Sequence, residues 1–481
     1  MSMRICLWGK AFGIDRIIDS CRRAGVEILA IFDNDPGKWG TWCEGLETVS
    51  PARLTEFSPD YVLVVSHSFD AITEQAVGLG YERERMLAYH RHTQEVMAHL
   101  GASPRLYFNR YALGNGGELD TVTSGLEIRG KTEGDIASPV PLEAQVDIAR
   151  RLMDAYILAQ ECAGNVCQLY QVGKNWGGVL KSTRGDLYDI TRRGDAHALA
   201  EALGNFCRNG LSESIMGGER AYRSFLDSRH DTWMQHNLEV WMALLDGKAS
   251  VEETSMPPIG NPYGYDVEGS IINWNSFPNH ARAYRCATLL EGVDRPVVAE
   301  IGGGFGGFAY NLLKRSPGVT YVDFDLPENL IVASYYLSMA FPDRRILLYD
   351  SPELVLDEEL LRNYDAVMMP NFMLPKLADR AADLLINTIS FSEMEYATIE
   401  EYFRQVDRVS GRYFYHENLS CHPPYKGYPT AVFPRLRNFK EIMVSFSPWQ
   451  GLDAYTKGHS YMERLYMRRG VECAGCAGVA D

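Results

Sequence analysis

Along the first ninety or so residues the apolar positions gather into short runs separated by a stretch of helical spacing. RICLWG, VEILAIFDND and DYVLVVSHS are compact aliphatic runs of strand length, and GIDRIIDSCRRAG between the first two places apolar residues three and four apart. That alternation predicts a parallel sheet with crossover helices. From about 96 to 290 the texture turns helical, with LEAQVDIARRLMDAYILAQE, HALAEALGNFCRN and TWMQHNLEVWMALLDG keeping a helical period. Near 291 strands and helices alternate again through RPVVAEIG, GFAYNLLKRS, VTYVDFD, NLIVASYYLSMAF, RRILLYD and YDAVMMPN, and GRYFYHENL, EIMVSF and MERLYMRR add strand-like runs towards the C-terminus. The expected fold class is α/β. A small Rossmann-like domain covers 1–95, a mostly helical substrate or oligomerisation region covers 96–290, and a doubly wound sheet with an antiparallel C-terminal portion covers 291–470, followed by a flexible tail at 471–481.

Two connections stand out. LGNGGELDTVTSG at 113–125 is glycine-rich and reads as a linker, whereas 256–280 (MPPIGNPYGYDVEGSIINWNSFPNH) is dense in Pro, Gly, Asn and aromatics. Long loops are usually functional or disordered, and the aromatic content argues against disorder, so this segment is expected to be an ordered lid or pocket wall. Trp176, Trp233 and Trp241 read as packing residues.

The length of 481 residues fits about three domains, and 46% hydrophobic with 23% charged residues is ordinary globular usage. The formal charge is 47 − 63 = −16, and Lys and Arg form no stripe. A nucleic-acid partner is therefore not expected. The opening MSMRICLWGKAFG has no basic region or apolar signal core, and no apolar run reaches the ~18 residues of a membrane span, so the expected address is cytoplasmic. Ten scattered cysteines fit a reducing compartment, and the Cys473–Cys476 pair in a Gly/Ala-rich tail reads as a frayed end. The pattern does not fix whether the chain forms a homo-oligomer.

Two glycine turns are candidates for chemistry. Gly9 and Gly13 follow the first strand, and Asp33, Asn34 and Asp35 end the second, the outline of a mononucleotide-binding half. The glycine pattern is sparse, so a structural turn is the expected reading. The second turn, in VVAEIGGGFGGF at 297–308, has five glycines in six positions. Gly302, Gly304 and Gly307 satisfy the dinucleotide spacing, which keeps a nicotinamide cofactor in play. Glu300, two residues before the first glycine, instead suits a ligand that is cationic at that end, because a pyrophosphate would be repelled. Asp325 lies 325 − 302 = 23 residues further on, at the tip of the second strand, where a carboxylate accepts ribose hydroxyls. Asp350, ending RRILLYD, is placed to take an adenine amino group. Together these favour S-adenosylmethionine.

EIGGGFGG followed by DFDLPE resembles the glycine motif and D-L-P segment of class I small-molecule O-methyltransferases. More specifically, PIGNPYGY (258–265), EIGGGFGGFA (300–309), DLPENL (325–330), LLINTISFSEM (384–394) and YHENL (415–419) resemble a family of sugar O-methyltransferases found in bacterial glycan clusters. The likeness covers about 250–420 well, while the first 95 residues resemble small Rossmann-like units attached to sugar-modifying enzymes. It implies a class I methyltransferase Rossmann-like sheet in which Glu300, Gly302, Gly303, Gly304 and Gly306 surround the methionine part of S-adenosyl-L-methionine. Asp325, with Leu326 beside it, would hold the ribose and Asp350 the adenine.

Methyl transfer to a sugar hydroxyl calls for a positioned acceptor and a general base or metal. The base candidates are His416 first and Glu393 second, then Glu417 and His280. Asn371, after YDAVMMP, is expected at a strand tip beside the methyl group, among the cofactor-binding residues. Asn261 and Tyr263 are expected to close over a ring-shaped substrate, with Asn387 and Ser390 as donors. No H-x-x-x-H or clustered-Asp pattern marks a metal site. The expected function is an S-adenosylmethionine-dependent O-methyltransferase acting on a nucleotide sugar or a bacterial surface glycan. The alternatives are an NAD(P)-dependent oxidoreductase with two Rossmann units and a non-catalytic glycan-binding scaffold.

Overall fold

The computed structural model describes residues 4–10, 14, 18, 21–22, 26–65, 69–88, 128–132, 134–227, 231–245, 247–267, 269–419, 428–449 and 461–471. Gly13, the boundary at 95, the 113–125 linker and the Cys473–Cys476 tail lie outside the described residues. The chain divides into two compact units, residues 1–124 with 445–453 and residues 125–444 with 454–481.

In the first unit, β1 (Arg4–Trp8), β2 (Glu27–Phe32), β3 (Trp42–Cys43), β4 (Leu46–Val49), β5 (Tyr61–Val64) and β6 (Met86–Ala88) form one sheet in the order β3-β4-β2-β1-β5-β6. All neighbours are parallel except β3 and β4. Alternate residues of β1 feed two cores, Ile5 and Leu7 with Ile14, Ile18 and Cys21 on one face, Cys6 and Trp8 with Val62 and Ile72 on the other. A strand buried on both faces reads as the unbroken apolar run seen in the sequence. The turn after β1 is tied shut from within. Gly9 N donates to Phe32 O, and the Asp33 carboxylate accepts from Lys10 N at 2.6 Å, Lys38 Nζ at 3.0 Å and Asp35 N at 2.9 Å. The acid expected at a ribose position serves the turn itself.

The second unit carries two sheets. β7 (Ile128–Thr132), β8 (Gly264–Val267) and β9 (Ser270–Ile272) form an antiparallel three-stranded sheet. The larger sheet contains β10 (Val297–Ile301), β11 (Thr320–Asp325), β12 (Ile346–Leu348), β13 (Ala366–Pro370), β14 (Ala382–Thr388), β15 (Ser410–Leu419), β16 (Phe439–Phe446) and β17 (Tyr461–Arg468), in the order β12-β13-β11-β10-β14-β15-β17-β16. From β12 to β15 all pairs are parallel, and β17 runs antiparallel to β15. This is the α/β, Rossmann-like architecture expected. The chain leaves β10 towards β11 on one side and later returns to β14 on the other, so a crevice opens at the carboxyl ends of β10 and β14.

One face of the sheet is apolar. Ala299, Ile301, Val322, Phe324, Leu385 and Phe414 pack with Ile399, Phe403, Val406 and Val409 of the helix Tyr396–Val409, whose buried residues recur at helical spacing. The helical stretch and the large sheet, expected as separate regions, fall in one unit. Segment 256–280 is largely not a lid: β8 and β9 form a hairpin within it, and the helix Ser276–Leu289 begins at its end. Alternating YDV and SII, split by a glycine turn, were the strand signal hidden by the surrounding Pro, Gly and Asn.

Candidate active site

The strand VVAEI ends where Gly302 takes φ +80, a conformation costly for any residue with a Cβ. Gly303 is needed for a different reason, since a Cβ there would lie 2.4 Å from Asp323 Oδ2. The parallel register sets Glu300 opposite Asp323, so both carboxylates emerge on the same side of the sheet, and Asp325 follows two residues later on that side. The turn's first three amides are already engaged. Gly302 N donates to Phe324 O at 2.9 Å, Gly303 N to Asp323 Oδ1 at 3.2 Å and Gly304 N to Asp325 Oδ2 at 2.9 Å. Gly306 caps the helix Gly307–Arg315 at φ +86 and does not line the crevice.

The crevice holds about 1240 Å³ of empty space counting its open mouth. Glu300, Gly302, Gly303, Gly304, Asp325, Leu326, Asn371 and Glu393 all line it, so the structure brings these expected residues together. Residues outside the expectation join them, among them Trp176, Arg282 and Asn329, and the segment 256–280, expected as a lid or pocket wall, contributes Asn275 and Asn279. Ile389, at the end of β14, also lines it and holds φ +74, a strained value for a β-branched residue.

Other expected residues stand elsewhere. His416 is fully buried in β15 among Phe391, Phe403, Phe414, Phe433 and Tyr466, does not line the crevice, and has no hydrogen bond at Nε2. Burial, helped by Arg464, pushes its pKa down to about 3, so it is a neutral core residue and not a reachable base. Glu417 is buried and holds Arg282. His280 is buried away from the crevice, accepting from Trp241 Nε1 at Nδ1, and burial lowers its pKa to about 4. Asn387 is a strut: Nδ2 donates to Ile301 O and Ser390 Oγ, while Oδ1 accepts from Asn418 Nδ2. Asn261 bonds Asp135, Asn205 and Ile136 N, and Tyr263 is buried against Tyr222, Phe225 and Trp274. Neither lines the crevice.

Strand order corrects two assignments. Asp350 follows the edge strand β12, with β13 between it and β11, and is exposed outside the crevice. Asn371 follows β13 and therefore lies on the far side of β11 from β10, with Nδ2 donating to Tyr170 O and Tyr402 OH. The strand across the switch from β10 is β14, whose end leads into Ser390 and Glu393.

The acids share one electrostatic problem. Burial raises Glu300 to about 8, opposed by the 2.6 Å hydrogen bond from Tyr321 OH and helped by Asp325. Burial raises Asp325 to about 6 despite donors at Gly304 N, Leu326 N and Asn329 Nδ2. Asp323 is pushed well up by burial and then by its two acidic neighbours, and its Oδ2 has no partner. Glu393 is raised to about 7 by burial, with Trp176 Nε1 donating to Oε2 at 2.8 Å. Closely set buried carboxylates favour any ligand that brings a positive charge. Among the described residues no group of three or more His, Cys, Asp or Glu is arranged to hold a metal, and no helix is long and apolar enough to cross a membrane.

Residues 1–87 match the family model described as C2185-like, N-terminal. No curated protein matches the chain. Among solved structures, the chain is similar to UDP-D-quinovosamine 4-dehydrogenase from Vibrio fischeri, at 19% identity over 18% of this chain and 78% of that one, TM-score 0.16. It is also similar to magnesium protoporphyrin IX methyltransferase from Synechocystis PCC 6803 with bound SAM, at 13% identity over 41% and 85%, TM-score 0.27. A third is geranyl diphosphate methyltransferase in complex with SAM, at 14% identity over 39% and 85%, TM-score 0.27. TM-scores this low carry no functional weight.

Proposed function

We propose that the crevice binds S-adenosyl-L-methionine and that the protein is an O-methyltransferase acting on a sugar hydroxyl. The carrying observation is that buried acids stand around the glycine turn and already take up its amides. Gly302, Gly303 and Gly304 donate to Phe324 O, Asp323 and Asp325, and Glu300, Asp323 and Asp325 are all buried beside them. A nicotinamide dinucleotide would set its phosphates against those acids, whereas a cationic methyl donor would relieve their repulsion.

The residues fit that group. Asp325 uses about three of its four acceptor sites on its own chain, leaving about one for a ribose hydroxyl. The unpartnered Oδ1 of buried Asn329, beside it, suits the second hydroxyl. Asn371, at the end of the strand next to β11, takes the adenine side in place of Asp350. Bound there, the cofactor supplies a methyl group on a sulfonium, already activated for in-line displacement.

Glu393 is the base in this reading. Trp176 holds Oε2, and among the described residues nothing donates to Oε1, which is left to draw the proton from an acceptor hydroxyl. A carboxylate raised to about 7 is well matched to that task. An indole beside a carboxylate and the amides of Asn275, Asn279 and Gln171 suit a polyhydroxylated ring, in keeping with the sugar methyltransferase resemblance.

Thermal unfolding with S-adenosylhomocysteine, NAD and NADP tests the reading, since a ligand at 100 times its Kd stabilises by about 2.7 kcal/mol. Of the three, S-adenosylhomocysteine alone is expected to raise the transition. Labelled methyl transfer to a panel of nucleotide sugars and glycans then identifies the acceptor. A response to the nicotinamides only overturns the proposal.

A further inference from the structure

Among the described residues Arg282 is the single cation that lines the crevice, with Glu300, Asp325, Glu393 and Glu395 also in its wall. It belongs to the helix Ser276–Leu289, which also supplies Asn279, and Asn275 caps that helix. Positions 275, 279 and 282 recur at helical spacing and line the same crevice. The guanidinium is 7% exposed, and its Nε and Nη2 hold one oxygen of the fully buried Glu417 at 3.0 and 2.6 Å. About three of five N–H donors remain, including both on Nη1. Among the described residues no acceptor takes Nη1, and Arg282 lines the crevice, so that edge is open to a ligand's acceptor.

The charges alternate. Glu417 is negative, Arg282 positive, and Glu300, on the crevice wall, is a carboxylate that a cation would ionise. A zwitterion fits between the last two, its carboxylate towards Arg282 and its ammonium towards Glu300. We infer that Arg282, oriented by Glu417, is a carboxylate-binding subsite that takes the α-carboxylate at the methionine end of the cofactor. The inference rests on the reading of the crevice as an S-adenosylmethionine site. It gives Glu417 a positioning role, in which its buried oxygen turns the guanidinium's free edge to the crevice.

The test compares S-adenosylhomocysteine with 5′-methylthioadenosine, the same thionucleoside without the amino-acid end, by calorimetry. Arg282→Met alone strands a buried Glu417, so the informative variant is Arg282→Met with Glu417→Gln, which removes the ion pair as a unit. Thermal unfolding and methylthioadenosine binding check that the variant is folded. Its affinity for the homocysteine ligand is expected to fall roughly 10- to 100-fold, with methylthioadenosine unchanged. Arg282→Lys keeps the charge without the planar fork and is expected to recover part of the preference.

An unchanged ratio of the two affinities overturns the inference while leaving the cofactor reading intact. Failure of both ligands to bind the wild type overturns the cofactor reading and the inference with it. A third arm compares UDP-glucuronate with UDP-glucose. If the double variant loses only a preference for the glucuronate, the subsite serves an acidic acceptor and the cofactor assignment is overturned.

Discussion

Replacing Glu300 by Gln tests the electrostatic core of the proposal. Glu300 Oε2 accepts from Tyr321 OH at 2.6 Å, and burial holds the carboxyl near 8, so at pH 7 it is mostly neutral. To meet a cationic ligand it must ionise, which at one pH unit below its pKa costs about 1.4 kcal/mol. Wild-type affinity for S-adenosylhomocysteine should therefore rise about tenfold from pH 6.5 to 7.5, with about one proton released on binding. This window lies above the Asp325 value of about 6. Glu300→Gln should bind more weakly at pH 7.5 and lose most of the slope.

Stability without ligand should move the opposite way. A carboxyl whose folded pKa is raised binds more protons folded than unfolded, so its contribution is full below ~4.5 and is lost as pH rises through about 8. The variant, with nothing to ionise, should become the more stable protein by a few kcal/mol near pH 8. Calorimetric titration in buffers of different ionisation enthalpy reads the proton release, and thermal unfolding between pH 5 and 9 reads the stability. An unchanged slope in the variant, or wild-type affinity that falls with pH, refutes the reasoning.

Glu393→Gln should reduce methyl transfer by roughly 10²- to 10⁴-fold with S-adenosylhomocysteine affinity nearly unchanged, and the wild-type kcat/KM should fall on the acid side of pH 7; turnover that survives the substitution removes Glu393 as the base. His416→Phe should keep both turnover and S-adenosylhomocysteine binding and shift stability by less than about 1.5 kcal/mol, because an aromatic ring replaces a neutral one in an aromatic nest. Loss of turnover in a folded His416 variant would restore it as a candidate. Gly302→Ala puts a Cβ at φ +80 and 2.8 Å from Ser390 Oγ, so denaturant unfolding should show a loss of about 2–4 kcal/mol, and the homocysteine ligand should bind poorly.

The sequence was most legible where a few consecutive residues decide the outcome. A β-branched run followed by bare glycines predicts a strand that ends in an open turn, and Glu300, Gly302 and Asp325 line the crevice as that reading implies. Trp176 was misread because a tryptophan on a helix usually packs, and nothing local showed that its N–H would reach Glu393, 217 positions away. Arg282 and Asn279 carried a faint signal, polar residues at helical spacing behind a proline, but the segment looked like a loop. Asn329 was visible in DLPENL, and its unpartnered oxygen appears only once the helix after Asp325 is in place.

The chain by itself determined the element types outside 256–280, the glycine turn and the acid at the end of the following strand, because backbone sterics and burial patterns act over a few residues. Only the tertiary structure decided which carboxylates and amides line the crevice. With β13 between β11 and β12, Asp350 is carried to the edge and Asn371 to the far side of β11. With β14 and β17 flanking β15, His416 is enclosed and Glu393, beyond the end of β14, is left at the crevice. Lateral strand order is set by hydrogen bonds between residues far apart in the chain, and no local pattern encodes it.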